Sequence, residues 1–334
     1  NSKMFVPFVL SFAILCLIFL EGFCQNSTWT VSNAPEADWI NVASDGSGKN
    51  LVGVSYYYEG PSMTGVYLSH DYGKTWENVF INGAGYGLPW TAAAINSYGT
   101  SIYVLQQNLG LYASTNSGWS WERTIIDSAL TYANFNSIAV NANGDRVYVT
   151  VSFGYIYTSN NFGRTFTRTS APTNNGWMQV TTSGSGQYVA AVSDTVYVSS
   201  NYGSTWQKTS APSLGWYSIH FSADGNNAVA AATGESNSGG IYVSSDFGRT
   251  WSATSADRSL KWRSVTSDST GQQIYAVVGG GDVYYSIDHG KTFQKSASAP
   301  SGESWRTITS DATGSHFSLA SYNSAGHIYF SAGI

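Results

Sequence analysis

Four acidic residues are the candidates for catalysis in this 334-residue chain: Glu36, Asp38, Asp257 and Glu303. Two carboxyl groups that face each other across a cleft can hydrolyse a glycosidic bond, one as the acid and the other as base or nucleophile. Glu36 with Asp38, or Asp257 with Glu303, are the pairs that we consider for such a site. The sequence fixes no distance within either pair, and exposed carboxylates more commonly only solvate a surface.

Other catalytic chemistries have no support in the residue pattern. The five histidines are scattered without metal-ligand spacing, and there is no Gly-x-Ser-x-Gly motif, phosphate-binding loop or dinucleotide fingerprint. Both cysteines, Cys16 and Cys24, lie in an N-terminal apolar segment, so the rest of the chain has no thiol ligand or nucleophile. We therefore expect no metal and no cofactor.

A repeated turn motif organises the chain. The stretch SSDFGRTW, which begins at Ser244, recurs in five further variants with a period of about 45 residues. Its Ser and Asp can bond to backbone N–H groups of their own turn, and its Gly supplies a positive φ. Because Asn replaces Asp in three copies, we interpret this position as structural rather than catalytic; its residues are Asp71, Asn116, Asn161, Asn201, Asp246 and Asp288.

Seven short apolar runs alternate with these turns, and each opens with an aromatic residue: Trp39, Trp90, Phe135, Trp177, Trp216, Trp262 and Trp305. Each run is followed by a second and a third strand pattern and, in all but the last, by the turn motif and a fourth strand. Four strands in each of seven units predict an all-β fold, a seven-bladed β-propeller of four-stranded antiparallel blades. The chain ends in a third strand, so we expect the N-terminal strand to complete the C-terminal blade and close the ring.

The motif Ser-x-Asp-x-Gly-x-Thr-Trp resembles the Asp-box (BNR) repeat of sialidases, sortilin-type receptors, xyloglucan hydrolases, photosystem assembly factors and some lectins. The resemblance covers the predicted propeller and implies its fold, but the repeat is shared among unrelated activities. The sialidase-type Arg-Ile-Pro segment does not occur in the sequence. Xyloglucan hydrolases of this kind use a cleft between two propellers, whereas this chain predicts only one.

The opening tryptophans have two interpretations. Large aromatic side chains dominate packing between neighbouring blades, which is the interpretation that we favour. Alternatively, they form stacking platforms for sugars around one face of the propeller, in which case the ligand-binding residues are Trp39, Trp90, Trp177, Trp216, Trp262 and Trp305.

The expected topology places the Asp boxes and the first-to-second-strand turns on one face. The fourth-to-first and second-to-third loops lie on the opposite face, which we call the loop face. The loop face varies most in sequence and collects acidic residues, including the four named above. Because binding residues concentrate on variable loops of a rigid scaffold, the loop face is the predicted binding surface.

Residues 1–24 predict a secretory signal peptide, with an apolar run from Phe5 to Leu20 and cleavage after Cys24. An uncleaved anchor is the alternative. The propeller would then span residues 25–334, with a glycosylation sequon at Asn26 and no membrane span in the mature chain. A net charge of −5 and the lack of a basic stripe argue against nucleic acid as a partner.

The sequence thus predicts a secreted, non-catalytic binding or structural propeller whose partner is an extracellular glycan or protein. Self-assembly into a matrix is a further possibility. A glycoside hydrolase that uses loop-face carboxylates is the main alternative, and an assembly factor like the photosystem proteins is the third.

Overall fold

The computed structural model describes residues 28–56, 65–85, 87–130, 133–173, 175–233, 239–323 and 325–332. These residues form strands and turns and contain no helix, so the all-β prediction is confirmed. Accordingly, no helix long and apolar enough to cross a bilayer occurs in the described ranges. The predicted signal segment, residues 1–24, and the sequon at Asn26 lie outside the described residues.

The strands fall into groups of four along the chain, which we name units 1 to 7. Unit 1 has β2 (Trp39–Ser44), β3 (Leu51–Ser55), β4 (Val66–Ser69) and β5 (Glu77–Asn78); unit 2 has β6 (Trp90–Ile95), β7 (Ile102–Gln106), β8 (Gly110–Ser114) and β9 (Glu122–Thr124). Unit 3 has β10 (Phe135–Val140), β11 (Val147–Val151), β12 (Ile156–Ser159) and β13 (Thr167–Arg168); unit 4 has β14 (Gln179–Thr182), β15 (Val189–Val192), β16 (Val196–Ser199) and β17 (Gln207–Lys208). Unit 5 has β18 (Gly215–Phe221), β19 (Ala228–Thr233), β20 (Gly240–Ser244) and β21 (Ser252–Ala253); unit 6 has β22 (Trp262–Ser267), β23 (Ile274–Gly281), β24 (Val283–Ser286) and β25 (Gln294–Lys295). Unit 7 combines β26 (Glu303–Ser310), β27 (Phe317–Ser321) and β28 (Ile328–Ala332) with β1 (Thr28–Val31) from the start of the described chain.

Units 1 to 5 are separate four-stranded antiparallel sheets, each a simple meander in chain order. Units 6 and 7 join in one eight-stranded sheet, because the end of β23 also pairs with the start of β26 through Gly279 and Ser304. Strand β1 pairs with β28, with Trp29 opposite Ser331 and Val31 opposite Tyr329. The two ends of the described chain therefore share a sheet.

The second strands are buried along most of their length because both of their faces are covered. Every residue of β3 (LVGVS), β7 (IYVLQ) and β11 (VYVTV) is buried, as expected for a strand enclosed between neighbouring sheets. The short fourth strands β5, β13 and β17 are exposed and carry polar residues. The core therefore consists of apolar layers between successive units rather than one central cluster.

The first strands lie next to one another in chain order, and β26 of unit 7 also contacts β2 of unit 1. Polar side chains hold these strands together: Ser218 Oγ accepts a hydrogen bond from Val265 N–H of the next unit (3.0 Å), and Ser264 Oγ accepts one from Ile308 N–H (3.2 Å). Asn41, Ser137 and Gln179 bond to the next unit in the same way. Each bond satisfies an amide that has no sheet partner on that side.

The turns between first and second strands are linked by a continuous circuit of backbone hydrogen bonds. In each of seven turns, one residue accepts a hydrogen bond from one neighbouring turn and donates one to the other, with N–O distances from 2.8 to 3.2 Å. The circuit returns to its start and runs through Gly46, Ser97, Ala142, Gly184, Ala223, Ser269 and Ala312.

Candidate functional site at the mouth of the central channel

The Asp boxes close their own turns by hydrogen bonding. In the fifth copy, Ser244 Oγ accepts from Gly248 N–H (3.0 Å) and donates to Asp246 Oδ1 (2.8 Å). The N–H and Oγ1–H of Thr250 donate to the two carboxylate oxygens, at 2.9 and 2.7 Å. Trp251 Nε1–H donates to Gly248 O (2.7 Å) and fixes the start of the fourth strand.

The copies with Asn keep the same arrangement. In the fourth copy, Asn201 Oδ1 accepts from Thr205 N–H (2.9 Å), while its Nδ2–H donates to Thr205 Oγ1 (2.9 Å). In the copies with Asp, partial burial acts to raise the carboxyl pKa, but the hydrogen bonds outweigh it, so the pKa values of Asp71, Asp246 and Asp288 lie below the usual value. Because Asp and Asn both form this turn, the position requires a hydrogen-bond acceptor in a fixed geometry and not a titratable acid.

The opening aromatic residues are core residues in the structure, which corrects their interpretation as sugar platforms. The exposed fraction is between 0 and 2% for Trp39, Trp90, Trp177, Trp216, Trp262 and Trp305, and 3% for Phe135. Each of the six indoles meets the ring of a tyrosine on the third strand of its unit edge-to-face, as Trp262 meets Tyr284 with centroids 5.1 Å apart. An indole enclosed in this way has no face on which a sugar can stack.

The residue after each opening aromatic lines a cavity that the first-strand segments of all seven units enclose, which we call the channel. The pairing register shifts at this position in six first strands, as between Trp262 and Ser264, so Arg263 is the extra residue of a β-bulge. A bulge turns its side chain away from the regular alternation of the strand. The channel cavity measures about 290 Å³, and the bulge position contributes Ile40, Thr91, Asn136, Met178, Tyr217, Arg263 and Arg306 to its wall.

Two arginines lie side by side on this wall, at the loop-face end. The guanidinium of Arg263 lies over the ring of Tyr217, with Cζ 4.6 Å from the centroid, and that of Arg306 lies 5.8 Å from the ring of Tyr322. Among the described residues, neither guanidinium has a carboxylate or a hydrogen-bond acceptor within bonding distance. The pKa of Arg306 lies below its usual value. Desolvation by the surrounding protein is the larger cause, and the like charge of Arg263 is the next.

Deeper in the channel the wall is polar and uncharged. His220 Nδ1 lies 3.0 Å from Ser267 Oγ, and burial lowers the pKa of the imidazole to about 4, so that it is neutral at pH 7. Thr266 and Ser310 are hydrogen-bonded at the same depth. The two arginines are therefore the charged groups of the described channel wall.

Two of the predicted catalytic carboxylates are engaged in the structure of their own loops. Asp257 accepts hydrogen bonds from the N–H and hydroxyl of Ser259 (2.8 and 2.6 Å), which lower its pKa. Glu303 accepts a hydrogen bond from the Tyr329 hydroxyl (3.0 Å), and burial together with this carboxylate raises the tyrosine pKa to about 12. A general acid in glycoside hydrolysis needs a raised carboxyl pKa, opposite to that of Asp257.

The other acidic residues of the loop face are exposed, half-buried or paired with a basic residue. Glu36 is exposed, and Asp38 is half-buried with its backbone carbonyl bonded to Tyr56 N–H (2.8 Å). Two further acids form ion pairs with basic residues of fourth strands, namely Asp127 with Arg168 (2.6 Å) and Asp282 with Lys295 (2.8 Å). No group of three or more potential metal ligands occurs within the described ranges.

The arginine pair was not among the site residues predicted from the sequence. The signal is the dipeptide Trp-Arg at the start of two successive first strands, Trp262-Arg263 and Trp305-Arg306. The sequence does not reveal the bulge, so the residue after a buried tryptophan cannot be assigned to the channel wall from the sequence alone. The structure brings Arg263, Arg306, Tyr217 and Tyr322 together from three units.

Family models match two parts of the chain. The model described as sortilin, neurotensin receptor 3, matches residues 154–279, and that of the BNR-Asp box repeat matches residues 66–79. A comparison with curated protein sequences gives no significant match. The family models confirm the resemblance to the Asp-box (BNR) repeat on which the sequence interpretation rests.

Solved structures with a similar fold are propellers. A structure titled YCF48 bound to D1 peptide is 15% identical, with a TM-score of 0.67 over 92% of this chain and 95% of that chain. YCF48 from Cyanidioschyzon merolae is 14% identical, with a TM-score of 0.68 over 91% and 98%. An ancestral GH74 enzyme is 17% identical, with a TM-score of 0.64 over 90% of this chain but only 47% of its own. At these identities the likeness shows the fold alone.

Proposed function

We propose that this chain is a secreted, non-catalytic binding propeller that recognises an anionic group of an extracellular glycan or protein at the loop-face mouth of its channel. The observation that carries the proposal is the pair Arg263 and Arg306, two adjacent cations without an anionic partner among the described residues.

We also propose that units 1 to 7 are seven blades of one closed ring. The circuit of turn hydrogen bonds that returns to Gly46, the contact of β26 with β2 and the pairing of β1 with β28 support this arrangement. In such a ring the first strands line a channel, and every bulge residue faces the same mouth.

Two like charges lie next to each other at the channel mouth, where Arg263 is half-buried and Arg306 is exposed. Partial desolvation by the surrounding wall and repulsion by Arg263 disfavour the charged guanidinium of Arg306, as the direction of its pKa shift indicates. A carboxylate placed between the two guanidinium groups removes the repulsion and supplies acceptors for their N–H groups. Because the tyrosine rings already restrict both side chains, little rotamer entropy is lost on binding.

The comparisons support a binding role for the fold. One structurally similar protein is described with a bound peptide, which is consistent with capture of a polypeptide segment by a propeller of this shape. The GH74 likeness is consistent with a saccharide ligand. Either ligand class can present a carboxylate, as a chain terminus, an acidic side chain or a uronic acid.

The test is isothermal titration of the purified chain with matched charged and neutral probes. Peptides with a free or an amidated C terminus form one pair, and uronic-acid or neutral oligosaccharides form the other. A charge-assisted hydrogen bond contributes about 1.5–3 kcal/mol, so Arg263→Gln or Arg306→Gln should weaken binding of the charged probe roughly 10- to 100-fold. Arg164→Gln is the matched control, since Arg164 is an exposed Asp-box residue on the opposite face.

The two probe pairs decide between the ligand classes. Preference for the free peptide over its amide supports a protein ligand, whereas preference for the uronic acid supports a glycan. Equal binding of charged and neutral probes, or equal losses in Arg164→Gln and Arg306→Gln, would contradict the proposal.

A glycoside hydrolase is the second candidate, favoured by the structural likeness to a GH74 enzyme. Its carboxylates would come from Glu36, Asp38, Asp257 and Glu303. Release of reducing sugar from polysaccharides, followed in wild type and in Glu303→Gln and Asp38→Asn variants, tests this function. Turnover that disappears in one of these variants, while the fold is retained, would establish the enzyme and displace the binding proposal.

A further inference from the structure

A second cavity lies between units 5 and 6 at the Asp-box face, opposite the channel mouth. It measures about 250 Å³, and its apolar wall is formed by Ala228, Val229, Val243 and Ile274. Its rim carries polar groups from the two flanking Asp boxes, namely Ser245, Thr250, His289 and Lys291. The cavity is therefore amphipathic, with an apolar interior below a polar edge.

At three other unit boundaries, two planar side chains stack at the equivalent position. Between units 4 and 5, the ring of Phe247 stacks on Tyr188 with centroids 4.3 Å apart. Between units 7 and 1, Tyr72 stacks on His316 at 4.5 Å, and between units 3 and 4 the guanidinium of Arg146 lies 4.0 Å from the Tyr202 ring. A stacked planar pair thus recurs at this position of the repeat.

At the boundary of units 5 and 6, the two equivalent residues are His289 and Asn227. Asn227 Nδ2–H donates to Thr270 O (2.8 Å), and the His289 ring lies with Nδ1 3.1 Å from Gly271 O. Both side chains are therefore held against the turn between β22 and β23. Neither supplies an aromatic carbocycle over the apolar wall below.

We propose that this cavity is a binding site for a small planar aromatic compound that carries one hydroxyl or N–H group. The ring takes the place that an aromatic side chain holds at the neighbouring boundary, in contact with Val229, Val243 and Ile274. Its polar group reaches the rim, where Thr250, Ser245 and Lys291 supply hydrogen-bonding partners. Pockets that are mostly apolar with a few polar groups at the edge are typical of such ligands.

The repeat offers a reciprocal pair of variants to test this site. Asn227→Tyr with His289→Phe rebuilds the aromatic pair of the units 4–5 boundary and should fill the cavity. Tyr188→Asn with Phe247→His makes the converse change and should open a second cavity. Phenol and indole are the probes, titrated against the full chain by ligand-observed and protein-observed NMR.

Wild type is expected to bind one molecule of probe, the filled variant to bind at least tenfold more weakly, and the opened variant to bind two. Cyclohexanol, of similar size but without a planar ring, should bind more weakly than phenol in wild type. Absence of phenol and indole binding in wild type, or unchanged binding in the folded filled variant, would overturn the site. Arg306→Gln should not alter this binding, so the outcome is independent of the proposed function of the channel mouth.

Discussion

Replacement of Trp262 by alanine tests whether the opening aromatic residues are core rather than ligand platforms. The indole is fully buried, meets Tyr284 edge-to-face at 5.1 Å and donates from Nε1 to Asp257 O (2.9 Å). Loss of a buried Trp costs about 3–5 kcal/mol through lost apolar contact and the remaining cavity. For a domain of about 300 residues, the unfolding entropy of ~0.6 kcal/mol/K converts this into a melting temperature lower by roughly 5–8 °C.

Differential scanning calorimetry of matched variants provides the measurement. Trp119→Ala is the control because Trp119 is 89% exposed, so its loss should change the unfolding free energy by less than about 0.5 kcal/mol. Trp262→Phe should fall between the two, since unit 3 places Phe135 at the equivalent position. A Trp262→Ala variant that has the melting temperature of the wild type but no longer binds any ligand would refute the core assignment.

Further predictions concern the fifth Asp box and are checked by chemical denaturation. Asp246→Asn should change stability at pH 7 by less than about 1 kcal/mol, because Asn201 forms the same turn. Since the folded-state pKa of Asp246 is lowered, its carboxylate contributes stability above the unfolded pKa, and this contribution is lost as the pH falls through the folded value; the acid limb of the stability curve should therefore be shallower in the variant. Ser244→Ala should cost about 1–3 kcal/mol, because Gly248 N–H loses its acceptor in a buried turn. Gly248→Ala should cost at least as much, because φ is +77° and the added Cβ would lie 2.9 Å from Val198 Cγ1.

The sequence predicted the elements of this fold well because every element repeats. One strand pattern such as that of β11 is ambiguous alone, but a four-strand pattern that recurs with an Asp box in six of seven units is not. The pairing of the first described strand with the last was also predicted, from the truncated final repeat. The bridge between β23 and β26 could not be predicted, because it depends on a local extension of β23 through three glycines.

The candidate site was harder to predict than the fold. Trp262 is 0% exposed and Trp119 is 89% exposed, although the sequence does not distinguish them. The burial of such a side chain depends on the packing of the neighbouring unit. The channel position of Arg263 depends on a bulge that leaves no composition signal. In a regular strand, periodicity predicts on which face of the sheet a side chain lies. At a bulge, that face follows only from the pairing register with the neighbouring strand.

The charged groups of the loop face differ in how far the fold compensates them. By composition this face is acidic, which favours carboxylates as the functional groups. Asp127 and Asp282 have basic partners, however, and Asp257 and Glu303 accept hydrogen bonds within their own units. These contacts already supply the carboxylates with ionic or hydrogen-bond partners, so a ligand gains less by approaching them. The paired arginines have no such partner among the described residues, and an anion gains most where a cation is least compensated. We therefore expect the proposed recognition at this face to depend on the charges that the fold leaves uncompensated and not on the net charge of the face.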